Sequence, residues 1–310
     1  MNLVTVSLDT LAAEFSEHRA HLLGVAYRLT STLADAEDAV QEAWLRLSTV
    51  DHTDIRDLRG WLTTVVGRIC LDRLRSAAVR REHYTGPWLP EPVVTSIGAP
   101  PSEDPLDTIV RQDGVRMAAL VVLDKLTPEQ RVAFVLHDAF SVPFDEIAEI
   151  LSVTTAAARQ HASRGRKALA DADPPPRASF DQQRELLERV IVALTSGDLN
   201  TLVELLHPDV HLVGDANGKA RTALRIVSGP DKVARFLLGL MTKYGLTELT
   251  GMPMLVNGDL GLLLTDLRDD AGHQAVMRRV TAFAVRDGKI AACYDVVNPD
   301  KLTRVPFPEE

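Results

Sequence analysis

The sequence predicts a multidomain protein in which two all-α modules precede a C-terminal α+β domain. Three observations predict it. Apolar residues keep helical spacing through the first 80 positions and again over 108–170, and a proline-rich stretch separates the two runs. From Asp181 onward, short apolar segments alternate with turn signals such as Asn257-Gly258 and Asp287-Gly288. At 310 residues the chain is too long for one small core.

Leu11, Phe15, Leu22, Val25 and Leu29 mark a first helix. Ala36, Ala39, Val40, Ala43, Trp44 and Leu47 mark a second, with Asp35 as its expected N-cap. Leu62, Val65, Val66, Ile69 and Leu74 share one side of a third. Residues 83–107 hold six prolines, two glycines and no helical period, and read as a linker. Its Trp88, Leu89, Val93 and Val94 are apolar and need a surface to cover them. Thr127-Pro128-Glu129-Gln130 is a helix start with a capping Thr, Pro at the first position and Gln three residues on. Pro143 opens a short helix with Phe144, Ile147, Ala148 and Leu151 inward. After Ser152-Val153, Thr154 caps a longer helix to about Leu169, and Pro174–Pro176 mark the next boundary. A helix near 181–196 ends at Gly197. The segments HLVGDA, RTALRIVSG, ELTGMPMLV, LGLLLTDL, AVMRRVTAFAVR and IAACYDVV read as strands, interrupted by a helix at about 230–243.

The net charge of −9 argues at first against nucleic acid, but the charge is segregated. Residues 56–81 carry seven arginines against Asp57 and Asp72, and 154–170 carry Arg159, Arg164, Arg166 and Lys167 with no acid. Such a chain can grip phosphates locally while binding DNA weakly by itself. Cys70 and Cys293 have no metal-ligand spacing, so neither a disulfide framework nor a zinc site is expected, and no cofactor is implied. No apolar run approaches the roughly 18 residues that span a bilayer, and the N-terminus lacks a signal-peptide pattern. A cytoplasmic protein without membrane contact is expected.

A short helix, brief turn and longer basic helix over 143–169 form a helix-turn-helix signature. Ala158, Ala162, Gly165 and Leu169 fall on one face of the second helix, and Gln160, Arg164 and Lys167 point the opposite way. Arg can read guanine, Gln adenine, and Lys can hold phosphate in a major groove. LSVTTAAARQHASRGRKAL resembles region 4.2 of extracytoplasmic-function sigma factors, departing at Ala158 and His161, and LTPEQRVAFVLHDAFSVPFDEIAEIL resembles the segment before it. DAEDAVQEAWLRL resembles region 2.2, which docks on core RNA polymerase, and DLRGWLTTVVGRICLDRLRS resembles regions 2.3–2.4. GDLNTLVELLHPDVHLVGDANGKA is similar to SnoaL-like domains of the cone-shaped NTF2-like fold. WLPEPVV, DANGK and NPDKL match the sigma-J type that carries such a domain, with Ala216 and Asn217 standing where glycines are usual.

The resemblance implies an initiation factor that partners core RNA polymerase and promoter DNA. It implies domains at 1–81 (region 2), 108–172 (region 4) and 181–303 (SnoaL-like), with linkers at 82–107 and 173–180 and a tail at 304–310. Core polymerase binding falls to Asp35, Asp38, Gln41, Glu42 and Trp44. The −10 element falls to Asp54, Arg56, Arg59, Arg68, Arg73 and Arg75, and the −35 element to Thr155, Arg159, Gln160, His161, Arg164 and Lys167. Trp88, Leu89 and Pro90 are expected to meet Asp215, Lys219, Asn298 and Asp300 in a regulatory contact, with no separate anti-sigma factor evident from the sequence. The C-terminal fold has room for a small ligand. Asp215, His207, His211, Asp295 and Tyr294 are of catalytic type, yet no catalytic role is expected. Two other readings stay open: a helix-turn-helix repressor with a ligand pocket, and a SnoaL-type cyclase or isomerase with a helical appendage.

Overall fold

The computed structural model describes residues 8–51, 55–81, 83–98, 115–243, 251–264 and 278–307. The chain divides into two compact units. One holds 1–82, 101–115 and 122–173, the other 83–100, 116–121 and 174–310.

The first unit is helical. α1 (Leu8–Thr30), α2 (Leu33–Leu47) and α3 (Leu58–Arg81) pack around Leu22, Leu29, Leu47, Leu62 and Val66, all at most 2% exposed. Phe15 and Trp44 close one end, with ring centroids 5.1 Å apart. Asp35 is not the N-cap of α2. Thr32 occupies that position, and Asp35 sits in the first turn, accepting a hydrogen bond from the Thr32 hydroxyl at 2.8 Å. An acid there still faces the positive helix end.

α4 (Met117–Leu123) crosses from the second unit into the first. α5 (Pro128–Phe134) starts at the expected capping box: the Thr127 hydroxyl accepts from Gln130 N, and the Gln130 side chain accepts from Thr127 N. α6 (Phe144–Leu151) ends at Ser152 in the left-handed conformation, φ 56°. The Thr154 hydroxyl then caps α7 (Thr155–Ala172) by accepting from Ala157 N. Ala158, Ala162 and Gly165 are buried. A Cβ on Gly165 would come within 2.8 Å of Phe134, so the small-residue stripe is what lets α7 lie close on α5.

The second unit packs helices on a seven-stranded sheet. α8 (Phe180–Ser196) and α9 (Leu199–Leu205) lead into β2 (Leu206–Asp215), and α10 (Pro230–Lys243) follows β3 (Val227–Ser228). β4 (Met252–Val256), β5 (Asp259–Leu264), β6 (Arg279–Arg286) and β7 (Lys289–Val296) complete it with β1 (Val94–Thr95), in the order β1-β4-β5-β6-β7-β2-β3. Among the described strands only β2 and β7 are parallel. Sequence spacing did not separate α9 from the strand after it. The strand expected over RTALRIVSG shrinks to two residues. The chain turns at Asn217 and Gly218, both at positive φ, and the Thr222 hydroxyl is drawn to Asp295, so 216–226 leave the ladder. Parts of three expected strands fall on 244–250 and 265–277, outside the described residues.

Residues 84–95 are not a free linker. Val94 pairs with Val256, Leu89 is fully buried, and Val93 exchanges hydrogen bonds with Asn257. The apolar residues that needed a surface find it on the sheet.

Candidate functional site

The acidic face of α2 lies against α3. Arg73 Nη1 stands 3.1 Å from Asp35 and 3.4 Å from Asp38, and Nη2 stands 4.0 Å from Glu42. Residues expected on two different surfaces are thus one ion network, about a quarter exposed at Arg73. Gln41 is exposed and Trp44 half-buried. Three other −10 candidates are also engaged inside the first unit. Arg68 reaches Glu149 at 3.7 Å, and Arg75 donates twice to Glu129, at 3.0 and 3.2 Å. Arg59 donates to His21 Nδ1 at 3.0 Å, while His21 Nε2 bonds the Thr63 hydroxyl. That pattern needs a neutral imidazole. Burial first, then Arg59, His18 and Arg28, pull the His21 pKa down from 6.5 to about 4. Arg56 is exposed, and Asp54 lies outside the described residues.

Sequence reasoning missed the centre of this unit. Arg131, 1% exposed, donates to the Arg28 carbonyl at 2.9 and 3.1 Å and bonds Ser31 and Asp124. Gly67 of α3 faces Leu136 and Ile150 so closely that a Cβ would meet them at 3.1 and 3.4 Å. α5 and α6 therefore pack directly on α3, and it is Glu129 and Glu149 that hold the two arginines.

On α7, Gln160, Arg164 and Lys167 are exposed on the face opposite the buried stripe. Lys167 pairs with Asp171 one turn on, both exposed, a contact weak enough to yield to phosphate. Arg159 lies over the Phe144 ring, 5.6 Å from its centroid. Thr155 opens the helix and His161 is half-buried.

In the second unit residues 84–95, the strap, meet Asp215 and Asn298, while Lys219 and Asp300 pair with each other. Asp215, fully buried, accepts from Leu89 N at 2.7 Å, from Lys301 Nζ at 2.7 Å and from the Tyr84 hydroxyl. Asn298 donates to Tyr84 at 2.8 Å, and Lys219 pairs with Asp300. Lys301, 7% exposed, also donates to the Leu89 carbonyl and lies 3.8 Å from the centroid of the Trp88 ring. Burial, then the bond to Asp215, raises the Tyr84 pKa well above that of an ordinary phenol. Pro90 is buried beside them. Asn217, at φ 48°, holds the turn that the missing glycine would have made and accepts from Thr85 N at 3.3 Å. Tyr84 and Lys301 were not foreseen, although Lys301 stands inside the NPDKL motif. Nearby, Asp259 takes Arg116 at 2.7 Å and Arg177 at 3.1 Å. Of the catalytic-type residues, Tyr294 is buried among apolar side chains, and Asp295 is taken up by Arg279, Thr222 and Thr281. Burial raises the Cys70 and Cys293 thiols to about 12, and among the described residues no cluster of His, Cys, Asp and Glu could hold a metal.

A helix-turn-helix behind a basic three-helix module, joined to a cone-shaped α+β domain, defines a class of transcription factor. Residues 15–80 match sigma-70 region 2, 116–169 match sigma-70 region 4, and 187–293 match the SnoaL-like domain. The chain belongs to the extracytoplasmic-function RNA polymerase sigma factors. It is 54% identical to the ECF RNA polymerase sigma factor SigJ of Mycobacterium tuberculosis, over 96% of this chain and 95% of that one. It is 33% identical to the probable ECF sigma factor SigI of the same organism, over 95% of each chain. The crystal structure of M. tuberculosis SigJ superposes with a TM-score of 0.81 at 51% identity, covering 96% of this chain and all of that one. Among the described residues no helix is long and apolar enough to cross a membrane.

Proposed function

We propose that the chain binds core RNA polymerase through the acidic face of α2, reads the −35 element with the exposed face of α7, and holds the opened −10 strand with α3 and residues 51–57. The observation that supports this reading best is α7 itself. Its small residues are spent on packing, and Gln160, Arg164 and Lys167 are left to solvent. An acidic chain with one reading helix gains little affinity alone, so polymerase must supply the rest.

Size argues for a closed resting state. A compact unit of about 150 residues has a radius of gyration near 15 Å. The two promoter elements lie about 25 base pairs apart, roughly 85 Å at 3.4 Å per pair. Regions 2 and 4 must part to reach both, releasing Arg68 and Arg75 for DNA as Glu149 and Glu129 withdraw. The domain after Pro174 acts on this step by holding 84–95, part of the segment that joins the two regions. The SnoaL-like domain then has a regulatory rather than an enzymatic role. Transcription by sigma-free core polymerase, with wild-type protein and with strap variants, tests this directly. Unchanged initiation when the strap is released would remove the regulatory role.

A further inference from the structure

The chain between α5 and α6 does not continue as α-helix. Val135–Ala139 form one π-helical turn, wider than the α-helix before it. The chain then leaves through Phe140 and reverses at Ser141, φ 56°. Turns of this kind are rare and recur at functional sites. This one presents two consecutive side chains, His137 and Asp138, and each leads to an arginine of α7.

Asp138 takes Arg166 twice, from Nε at 2.7 Å and from Nη2 at 3.0 Å. A fork-on-fork pair fixes the plane of the guanidinium. It uses two of the five N–H donors of an arginine and leaves three for another acceptor. His137 acts at one remove. Its Nδ1 donates to the Val142 carbonyl at 3.1 Å, and its ring stacks on Phe144 with centroids 3.8 Å apart. Phe144 in turn lies under the Arg159 guanidinium. Both arginines are exposed on α7.

Helix geometry says what the two arginines can touch. At about 100° per residue they lie within about 20° of each other, and about 110° from the centre of the face formed by Gln160, Arg164 and Lys167. They stand on the flank of the reading face, beside the first helix of the helix-turn-helix. When the reading face enters a major groove, that flank meets the sugar-phosphate edge rather than the bases.

We propose that the π turn is a positioning element for promoter binding: through Asp138 and the His137–Phe144 stack it aims Arg166 and Arg159 at phosphates along one edge of the −35 groove. Arg159 then grips backbone rather than a base, and Arg166 joins the DNA contacts. The proposal rests on α7 reading the −35 element.

Binding of the holoenzyme, full-length chain with core polymerase, to −35 duplexes over a range of salt tests it. R159A and R166A should each weaken binding by the same factor on every −35 sequence and lower the salt slope by about 1. F144L keeps apolar bulk but removes the ring, so Arg159 stays charged and loses its fixed position. The salt slope should then hold while affinity falls about twofold to tenfold, the cost of ordering one long side chain on binding. F144Y restores the ring and should return affinity to within about twofold of wild type. In an R159A background F144L should cost nothing more, whereas a packing defect would cost as much as before. A loss confined to one −35 base pair in R159A or R166A, an unchanged slope in both, or an F144L loss that persists without Arg159 would overturn the proposal. If R164A is also without effect on every −35 sequence, α7 does not read the element and the proposal falls with that reading.

Discussion

Asp215→Asn is the sharpest perturbation of the strap. The carboxylate is fully buried and its partner Lys301 nearly so. Removing one charge of a buried pair while leaving the other costs about 3–5 kcal/mol. Lys301 keeps the Leu89 carbonyl and the face of Trp88. The loss should therefore fall near the lower end, about 3 kcal/mol, which is roughly a hundredfold in an opening equilibrium. The Leu89 amide reports it, because its hydrogen bond ends on Asp215 Oδ2 at 2.7 Å. Amide hydrogen exchange at Leu89 should accelerate about a hundredfold, the local opening then costing that much less. Adding Lys301→Met should restore most of the protection, since apolar replacement of a whole buried pair is often neutral. If Leu89 exchange is indifferent to Asp215→Asn, the buried ion pair does not hold the strap and the account of the clamp fails.

The remaining predictions address the first unit. Glu129→Gln with Glu149→Gln loosens two largely exposed ion pairs worth about 0.2–1 kcal/mol each. Initiation at limiting protein should rise roughly twofold to thirtyfold in a run-off assay, and a fall would mean that these acids serve promoter binding instead. Arg164→Ala should cost about 1–3 kcal/mol at one −35 base pair and little at others, read by competition among mutated promoters. A uniform loss would make Arg164 a phosphate contact. The folded His21 pKa, about 4, lies below its ordinary 6.5. The neutral ring's contribution is complete above pH 6.5 and fades as pH falls towards 4. Thermal unfolding of the first unit should steepen with acid across that window, and His21→Gln should flatten it.

What the sequence revealed follows from how far apart the cooperating residues lie. The caps at Thr127 and Thr154 and the small-residue stripe on α7 were legible because each depends on a few neighbouring residues. The strap's apolar residues announced a need for burial, and the matching motifs named where it would be met. Lys301 was passed over because a lysine is seldom buried, and its carboxylate lies 86 positions earlier. Arg131 was passed over for the same reason, and so were the ion-pair partners of Arg68, Arg73 and Arg75. A basic stripe reads as a DNA surface, and nothing local shows that Glu129, Glu149 and the acids of α2 occupy it first. The strand expected at 221–229 failed because the Thr222–Asp295 bond, 73 positions apart, outweighed its apolar pattern.

Run-off transcription with purified, sigma-free core polymerase tests the central claim most directly, using the wild type beside Asp215→Asn. Deletion after Pro174 is a poorer comparison, since it strips Leu89 and Met117 of the core they share with Val213 and Tyr294. The account predicts a stable complex with core, initiation that depends on both promoter elements, and a changed yield when the strap is released. A protein that binds no core and initiates nowhere, with the strap held or free, would contradict it.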